Sequence, residues 1–239
     1  MRRRVRLQVA AAAVLFLSGL SYFLYSVHAV WQSPQSADAS AVTVLIDPGH
    51  GGVDGGAVAP DGTAEKDLNL QIALLLREQL SAFGIRTEMT RTTDASIHDQ
   101  SAETVREKKV SDIHNRMQLM EETENCLFVS IHQNKFSDPS LSGTQVFYAP
   151  KVTQSAALAD SIQNSVRTLL QPENDRQIKP SDNSIYLLFY AQKPAVLVEC
   201  GFLSNAGELQ SLQQAAYRQK LAFCIAAGIL SYLHTQQGR

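Results

Sequence analysis

The sequence predicts an α/β fold: a single domain with a mainly parallel sheet and helices on both faces, preceded by one N-terminal transmembrane or signal helix. Three observations lead there. Short apolar runs bounded by glycine, proline or polar residues alternate with longer stretches whose apolar residues recur every three or four positions, the pattern of strands alternating with helices. Four polar segments adjoin these runs: Asp47-Pro48-Gly49-His50-Gly51-Gly52, Ala64-Glu65-Lys66-Asp67-Leu68, Ser130-Ile131-His132-Gln133-Asn134 and Val198-Glu199-Cys200-Gly201-Phe202. Open α/β sheets gather their functional residues at the carboxyl edge of the strands, so four distant pieces are expected to converge on one cleft. The N-terminus stands apart, with Arg2, Arg3, Arg4 and Arg6 ahead of an apolar stretch, residues 7–27, that carries no charge.

That stretch is long enough to cross a bilayer, for which about 20 apolar residues suffice. Residues 1–30 therefore read as a signal anchor or a signal peptide. Val27-His28-Ala29 offers a small-x-small cleavage site, but the apolar run exceeds the roughly 7 to 15 residues of a signal-peptide core, which favours the anchor. In both cases the arginines stay in the cytoplasm and the rest of the chain lies outside. Residues 31–41 read as a polar linker and residues 42–239 as one globular domain.

Within it, residues 42–47 form a short buried strand that ends at Pro48. A glycine-rich loop follows, then a helix in which Leu68, Ile72, Leu75, Leu76, Leu80 and Phe83 share a face and Gly84 supplies the stop. Residues 85–90 resemble a second strand. Residues 94–110 are polar and poorly patterned, an insert expected to include a loop over the cleft, and Ser111 or Asp112 is placed to cap a helix carrying Ile113, Met117 and Met120. Strands are expected at 127–132 and 145–148. A helix over 153–170 carries Leu158, Ile162, Val166 and Leu169, and residues 172–183 form a polar loop. Further strands are expected at 186–188 and 195–200, and a last helix over 217–233 carries Leu221, Ile225 and Ile229.

Composition limits the function. The 239 residues hold 21 basic against 23 acidic side chains, and four of the basic ones are the N-terminal arginines, so the exported part is mildly acidic. Nothing there suits nucleic acid, which calls for a basic face. The three cysteines, Cys126, Cys200 and Cys224, lie in apolar contexts and read as buried small hydrophobes; export permits a disulfide without requiring one.

His50, Glu65 and His132 are the donor set expected of a catalytic zinc site, which takes three protein ligands and keeps a fourth position open. The loop around His50 lacks the Gly-Lys-Ser/Thr ending of a phosphate loop, and its glycines instead allow close backbone approach. Taken singly, Glu65 is also an ordinary first-turn glutamate favoured by the helix dipole. His132 closes an apolar strand, where an imidazole needs a partner or serves as a ligand, and Asn134 is placed to orient it. Glu199 ends an apolar strand too. Burial there raises a carboxyl pKa and suits a general base, the alternative being an ion pair with Arg91 or Arg116. Cys200, its neighbour, is expected to face the packing side.

As an ordered set, these segments resemble the zinc-dependent N-acetylmuramoyl-L-alanine amidases of the type-3 amidase family, over residues 42–233. The resemblance implies that His50, Glu65 and His132 hold Zn2+, that Glu199 is the catalytic residue, and that the substrate is peptidoglycan, cut between the muramic lactyl group and L-alanine. Within the family the likeness is to germination-specific, spore-cortex amidases of endospore-forming bacteria, on Gly143-Thr144-Gln145-Val146-Phe147-Tyr148 and residues 194–205. That implies a step toward muramic δ-lactam completed by a deacetylase, with an activating protein partner left open. Arg176 or Lys179 is a candidate donor to the oxyanion or to a peptide carboxylate. A zinc peptidase acting within the stem needs the same metal and base, and a non-catalytic wall-binding protein would keep the fold.

Overall fold

The structure is a computed structural model and describes residues 42–237. The expected transmembrane or signal helix of residues 1–30 and the expected linker of residues 31–41 lie outside the described residues. Among the described residues no helix is long and apolar enough to cross a membrane.

In chain order the elements are β1 (Thr43–Pro48), α1 (Glu65–Ala82), β2 (Arg86–Met89), α2 (Val105–Glu122), β3 (Cys126–Asn134), β4 (Gln145–Tyr148), α3 (Thr153–Leu169), β5 (Lys179–Pro180), α4 (Tyr186–Tyr190), β6 (Ala195–Phe202), α5 (Ala206–Gln213) and α6 (Ala215–Gln237). The strands form one sheet in the order β2-β1-β3-β6-β4-β5. The pairs β1–β2, β1–β3 and β3–β6 are parallel, whereas β4 runs antiparallel to β6 and takes the short β5 with it. The sheet is thus mixed: its pairings are mainly parallel, as the sequence predicts, with one antiparallel junction at β4–β6. The loop of residues 135–144 returns the chain to the edge where β3 ended, so β4 sets off in the opposite direction.

Alternation along the strands divides the core between two faces. Val44 and Ile46 of β1, Val129 and Ile131 of β3 and Val196, Val198 and Cys200 of β6 face one side, covered by α1, α3 and α6. Leu45, Phe128 and Leu197 face the other, where Met120 of α2 and Leu187 and Leu188 of α4 pack. This second face governs the site. Carried two residues on toward the carboxyl edge, its rows reach Asp47 from Leu45, Ser130 and His132 from Phe128, and Glu199 from Leu197.

The helix α3 meets α6 at very close range. An added Cβ on Gly228 would stand 2.6 Å from Ile162 Cα and 2.9 Å from the Ser161 carbonyl oxygen, and Ser161 Oγ donates to Gly228 O at 2.7 Å. Gly228→Ala gains helix propensity, yet it forces two backbones apart. Overpacking of this kind costs about 1–3 kcal/mol and outweighs the roughly 1 kcal/mol of propensity. A lower denaturant midpoint is the expected result, and a raised midpoint would show that the crossing can relax.

Three elements differ from their sequence reading. The helix α2 begins at Val105, ahead of the expected Ser111 or Asp112 cap, because Thr104 and Glu107 form a capping box: Glu107 N donates to Thr104 Oγ1 and Thr104 N to Glu107 Oε2. Residues 186–188, expected as a strand, lie in α4. Ser184 N donates to Asp182 Oδ1, making a turn that starts the helix, and Leu187 and Leu188 are both buried on its inner side. The helix α5 was not anticipated; Asn205 Oδ1 caps it, accepting from Gly207 N and Glu208 N. All three cysteines are buried and free, as their apolar contexts imply.

Candidate active site

The β1 strand delivers Pro48, Gly49 and His50 to the carboxyl edge. His50 has a φ of 63°, left-handed backbone that a non-glycine residue adopts only when its surroundings impose it. Two buried arginines impose it here. Arg116 donates through Nη1 to Pro48 O at 2.9 Å and through Nη2 to His50 O at 2.7 Å. Arg91 donates to Pro48 O at 2.9 Å and to Gly49 O at 3.1 Å. Neither arginine pairs with Glu199. Arg116 pairs instead with Asp47 and Asp112, so the ion-pair alternative for Glu199 does not occur.

Glu65 is the first residue of α1 and is 3% exposed. Its Oε1 accepts from His132 Nδ1 at 2.9 Å, Gln133 N at 3.1 Å and Asn69 Nδ2 at 3.3 Å. Its Oε2 accepts from Ala57 N at 2.8 Å and lies 3.3 Å from His50 Nε2. Burial alone would raise this carboxyl; the bonds from His132 and His50, with their charges, hold it well below the usual carboxylate range. His50 Nδ1 donates to Asp54 Oδ2 at 2.8 Å, and Lys109 Nζ lies 2.7 Å from Asp54 Oδ1. Burial would lower the His50 imidazole, but the bonds and charges of Asp54 and Glu65 raise it to about 9.

One ligand atom from each of His50, Glu65 and His132 lies within 4.8 Å of the others. Two nitrogens and a carboxylate oxygen suit zinc. The surroundings fit as well: a carboxylate on the far nitrogen of His50 fixes its tautomer and orientation, and glycines line the cradle. A Cβ at Gly49 would stand 2.1 Å from His132 Nε2, and one at Gly56 would stand 2.6 Å from Glu65 Oε2.

Glu199 is the Cα partner of His132 across the β3–β6 ladder. Its Oε2 is buried without a hydrogen-bond partner among the described residues. Burial pushes its pKa up to about 7, lowered in part by the charges of His132 and His50 and raised by that of Glu65. Cys200, on the opposite face, is fully buried, and burial pushes its thiol far up, which removes the thiolate that nucleophilic chemistry needs.

The sequence reading missed part of the support. The Asn134 side chain makes no hydrogen bond among the described residues, while its carbonyl oxygen accepts from Leu203 N at 2.7 Å; the orienting amides are Asn69 and Gln133, with Gln133 Nε2 donating to Asn69 Oδ1 at 3.1 Å. Asn69, four residues after Glu65 on α1, was open to detection by its helical spacing. Asp54 lies four residues after His50 in the same glycine-rich segment. The loop expected over the cleft reaches the His50 segment through Asp94, whose carboxylate accepts from Gly52 N at 2.8 Å and Lys66 Nζ at 2.7 Å.

A mixed α/β sheet that brings two imidazoles and two carboxylates to one edge defines a hydrolase framework. The chain belongs to the N-acetylmuramoyl-L-alanine amidase family (Amidase_3), which matches residues 44–231. It is 33% identical over 238 residues to the germination-specific N-acetylmuramoyl-L-alanine amidase of Bacillus subtilis (strain 168), covering 100% of this chain and 98% of the relative. Among solved structures it resembles the CwlD amidase from Clostridioides difficile in complex with the GerS lipoprotein, at 38% identity and a TM-score of 0.77 over 81% of this chain and 99% of that one. It also resembles an N-acetylmuramoyl-L-alanine amidase from Clostridium difficile 630, at 32% identity and a TM-score of 0.70 over 82% and 99%.

Proposed function

We propose that this amidase is zinc-dependent, that His50, Glu65 and His132 hold the metal, and that Glu199 is its general base. The observation that supports this most is the single cluster of three such donors among the described residues, beside a carboxyl oxygen that is buried and has no partner among them. Zinc bound there supplies Lewis acidity, making a water acidic near neutral pH and polarising the amide carbonyl.

The chain's residues do the rest. Asp54 and Glu65 fix the two imidazoles, and Arg116 and Arg91 hold the backbone that carries His50. Glu199 takes one proton from the attacking water as its oxygen bonds to the lactyl carbonyl carbon. It returns that proton to the L-alanine nitrogen as the C–N bond breaks, leaving a lactyl carboxyl group and a free amine. Burial raises this carboxyl to about 7 in the metal-free chain, and the charge of bound zinc would lower it, favouring the carboxylate that accepts the proton of water.

The full-length similarity to a germination-specific amidase supports a role in spore cortex. There, removal of peptide stems would precede deacetylation and closure of muramic δ-lactam. The structure of the Clostridioides difficile CwlD amidase in complex with the GerS lipoprotein supports a protein partner of that kind here. The reading also places the domain outside the cytoplasm, with the N-terminal segment as its export signal or anchor.

The test is digestion of purified cortex and vegetative peptidoglycan, with products read by mass spectrometry. Stem peptides bearing a free L-alanine amine are the expected product. A cut within the stem would establish a peptidase instead, and bound zinc with no cut would favour a binding role or an absent partner. Equal release from both walls would count against a cortex preference.

A further inference from the structure

We propose that Arg176 is the group that recognises a carboxylate on the peptide side of the scissile amide, an inference that rests on the amidase reading above. Arg176 projects from the loop between α3 and β5, and its guanidinium is fixed on three sides. Nε donates to Ser142 O at 2.6 Å, Nη1 donates to Gln145 Oε1 at 3.2 Å, and Cζ lies 4.6 Å from the centre of the Phe202 ring. All three partners are neutral. Arg176 takes part in none of the ion pairs among the described residues. Glu208, whose carboxyl feels its charge, is held by main-chain N–H groups instead, those of Gly143 at 2.9 Å and Phe202 at 2.8 Å. Among the described residues this cation is therefore immobilised with no ion-pair partner, Glu208 acting on it only from beyond ion-pair distance, and its Nη2 makes no hydrogen bond to them.

Its place in the fold decides what it reads. Gln145, which Arg176 holds, is the Cα partner of Glu199 in the β4–β6 ladder, and paired residues stand on the same face of a sheet. Phe202, on which it stacks, ends β6 three residues beyond Glu199. The guanidinium thus lies one side chain away from the proposed base. In the substrate, the lactyl carboxyl is consumed in the amide and the N-acetylated sugar is uncharged, so the anionic groups lie on the peptide stem. A planar fork already fixed in place matches a carboxylate with two parallel bonds. Lys179, the other candidate, is exposed on β5 and its Nζ makes no hydrogen bond to the described residues.

The experiment compares two substrates: a muramoyl tripeptide with free stem carboxyls, and the same compound with every stem carboxyl converted to a primary amide. The unmodified enzyme should prefer the acid by roughly tenfold to a hundredfold in kcat/KM, mainly through KM. Arg176→Gln should lose that preference by losing rate on the acid alone, and Arg176→Lys should recover part of it. An equal loss on both substrates, or no preference in the unmodified enzyme, would overturn the proposal. Should Arg176→Gln fail to fold, Arg176→Met, which keeps the contact with Phe202, carries the same comparison. Cleavage of neither substrate would point to a binding role or an absent partner, and calorimetric titration with the free-acid stem tripeptide then decides separately. Weaker binding by the variant supports the carboxylate site, and equal or absent binding overturns it.

Discussion

Replacing Glu199 by Gln is expected to lower kcat on peptidoglycan by about a hundredfold to ten-thousandfold, the range ordinarily lost with a general base, while zinc content and KM stay near those of the parent. The amide of Gln occupies the same volume but cannot accept the proton of the attacking water. The same variant carries a stability signature of opposite sign. Burial raises the Glu199 pKa from an ordinary carboxylate value to about 7 in the metal-free chain. For an acid shifted upward the folded state favours the protonated form, so the penalty is absent below the unfolded pKa and grows until pH passes the folded one. Metal-free Glu199→Gln should therefore resist urea better than the metal-free parent at pH 8 and no better at pH 4. Activity retained within tenfold would remove Glu199 from the mechanism, and a stability gain at acid pH only would contradict its raised pKa.

The second large effect lies beneath the metal ligands. Arg116→Met is expected to cost about 3–5 kcal/mol in urea unfolding, because it strands the Asp47 carboxylate in the core. The Asp47 side chain is wholly buried and depends on Arg116, Ser130 Oγ at 2.6 Å and Thr90 Oγ1 at 2.7 Å. Burial would raise its pKa, but the charge of Arg116 and the two hydroxyl bonds bring it below the ordinary value. The same arginine holds the carbonyls of Pro48 and His50, so the variant should also bind zinc more weakly as the left-handed turn at His50 relaxes. Asp47→Asn combined with Arg116→Met should recover part of the stability and little of the metal affinity. A loss under 1 kcal/mol for Arg116→Met alone would mean that Asp47 finds another partner.

Much of this was open to reading in the chain. The strands β1, β3 and β6 show as apolar runs because they are buried on both faces, and their ends carry His50, His132 and Glu199. The helices α1 and α3 show because their buried leucines, isoleucines and valines keep helical spacing. What escaped was set by partners far along the chain or by caps. The helix α2 is poorly patterned because Arg116 is buried among its charges by Asp47, sixty-nine residues away in sequence; only the Thr104/Glu107 box marks its start. The residues of α4 form too short an apolar run to separate strand from helix without the Asp182 turn. Nothing local discloses the reversed direction of β4. Glu65 is legible as a zinc donor only within the ordered set; taken singly it is an ordinary first-turn glutamate, which its bonds to His132, Gln133 and Ala57 set apart.

The most direct test of the account is zinc titration of the metal-free full-length protein, with bound metal and stem release followed together. One zinc per chain should restore release in proportion to occupancy, and His132→Ala should abolish both tight binding and release. Full activity in zinc-free protein, or tight stoichiometric zinc in His132→Ala, would contradict it.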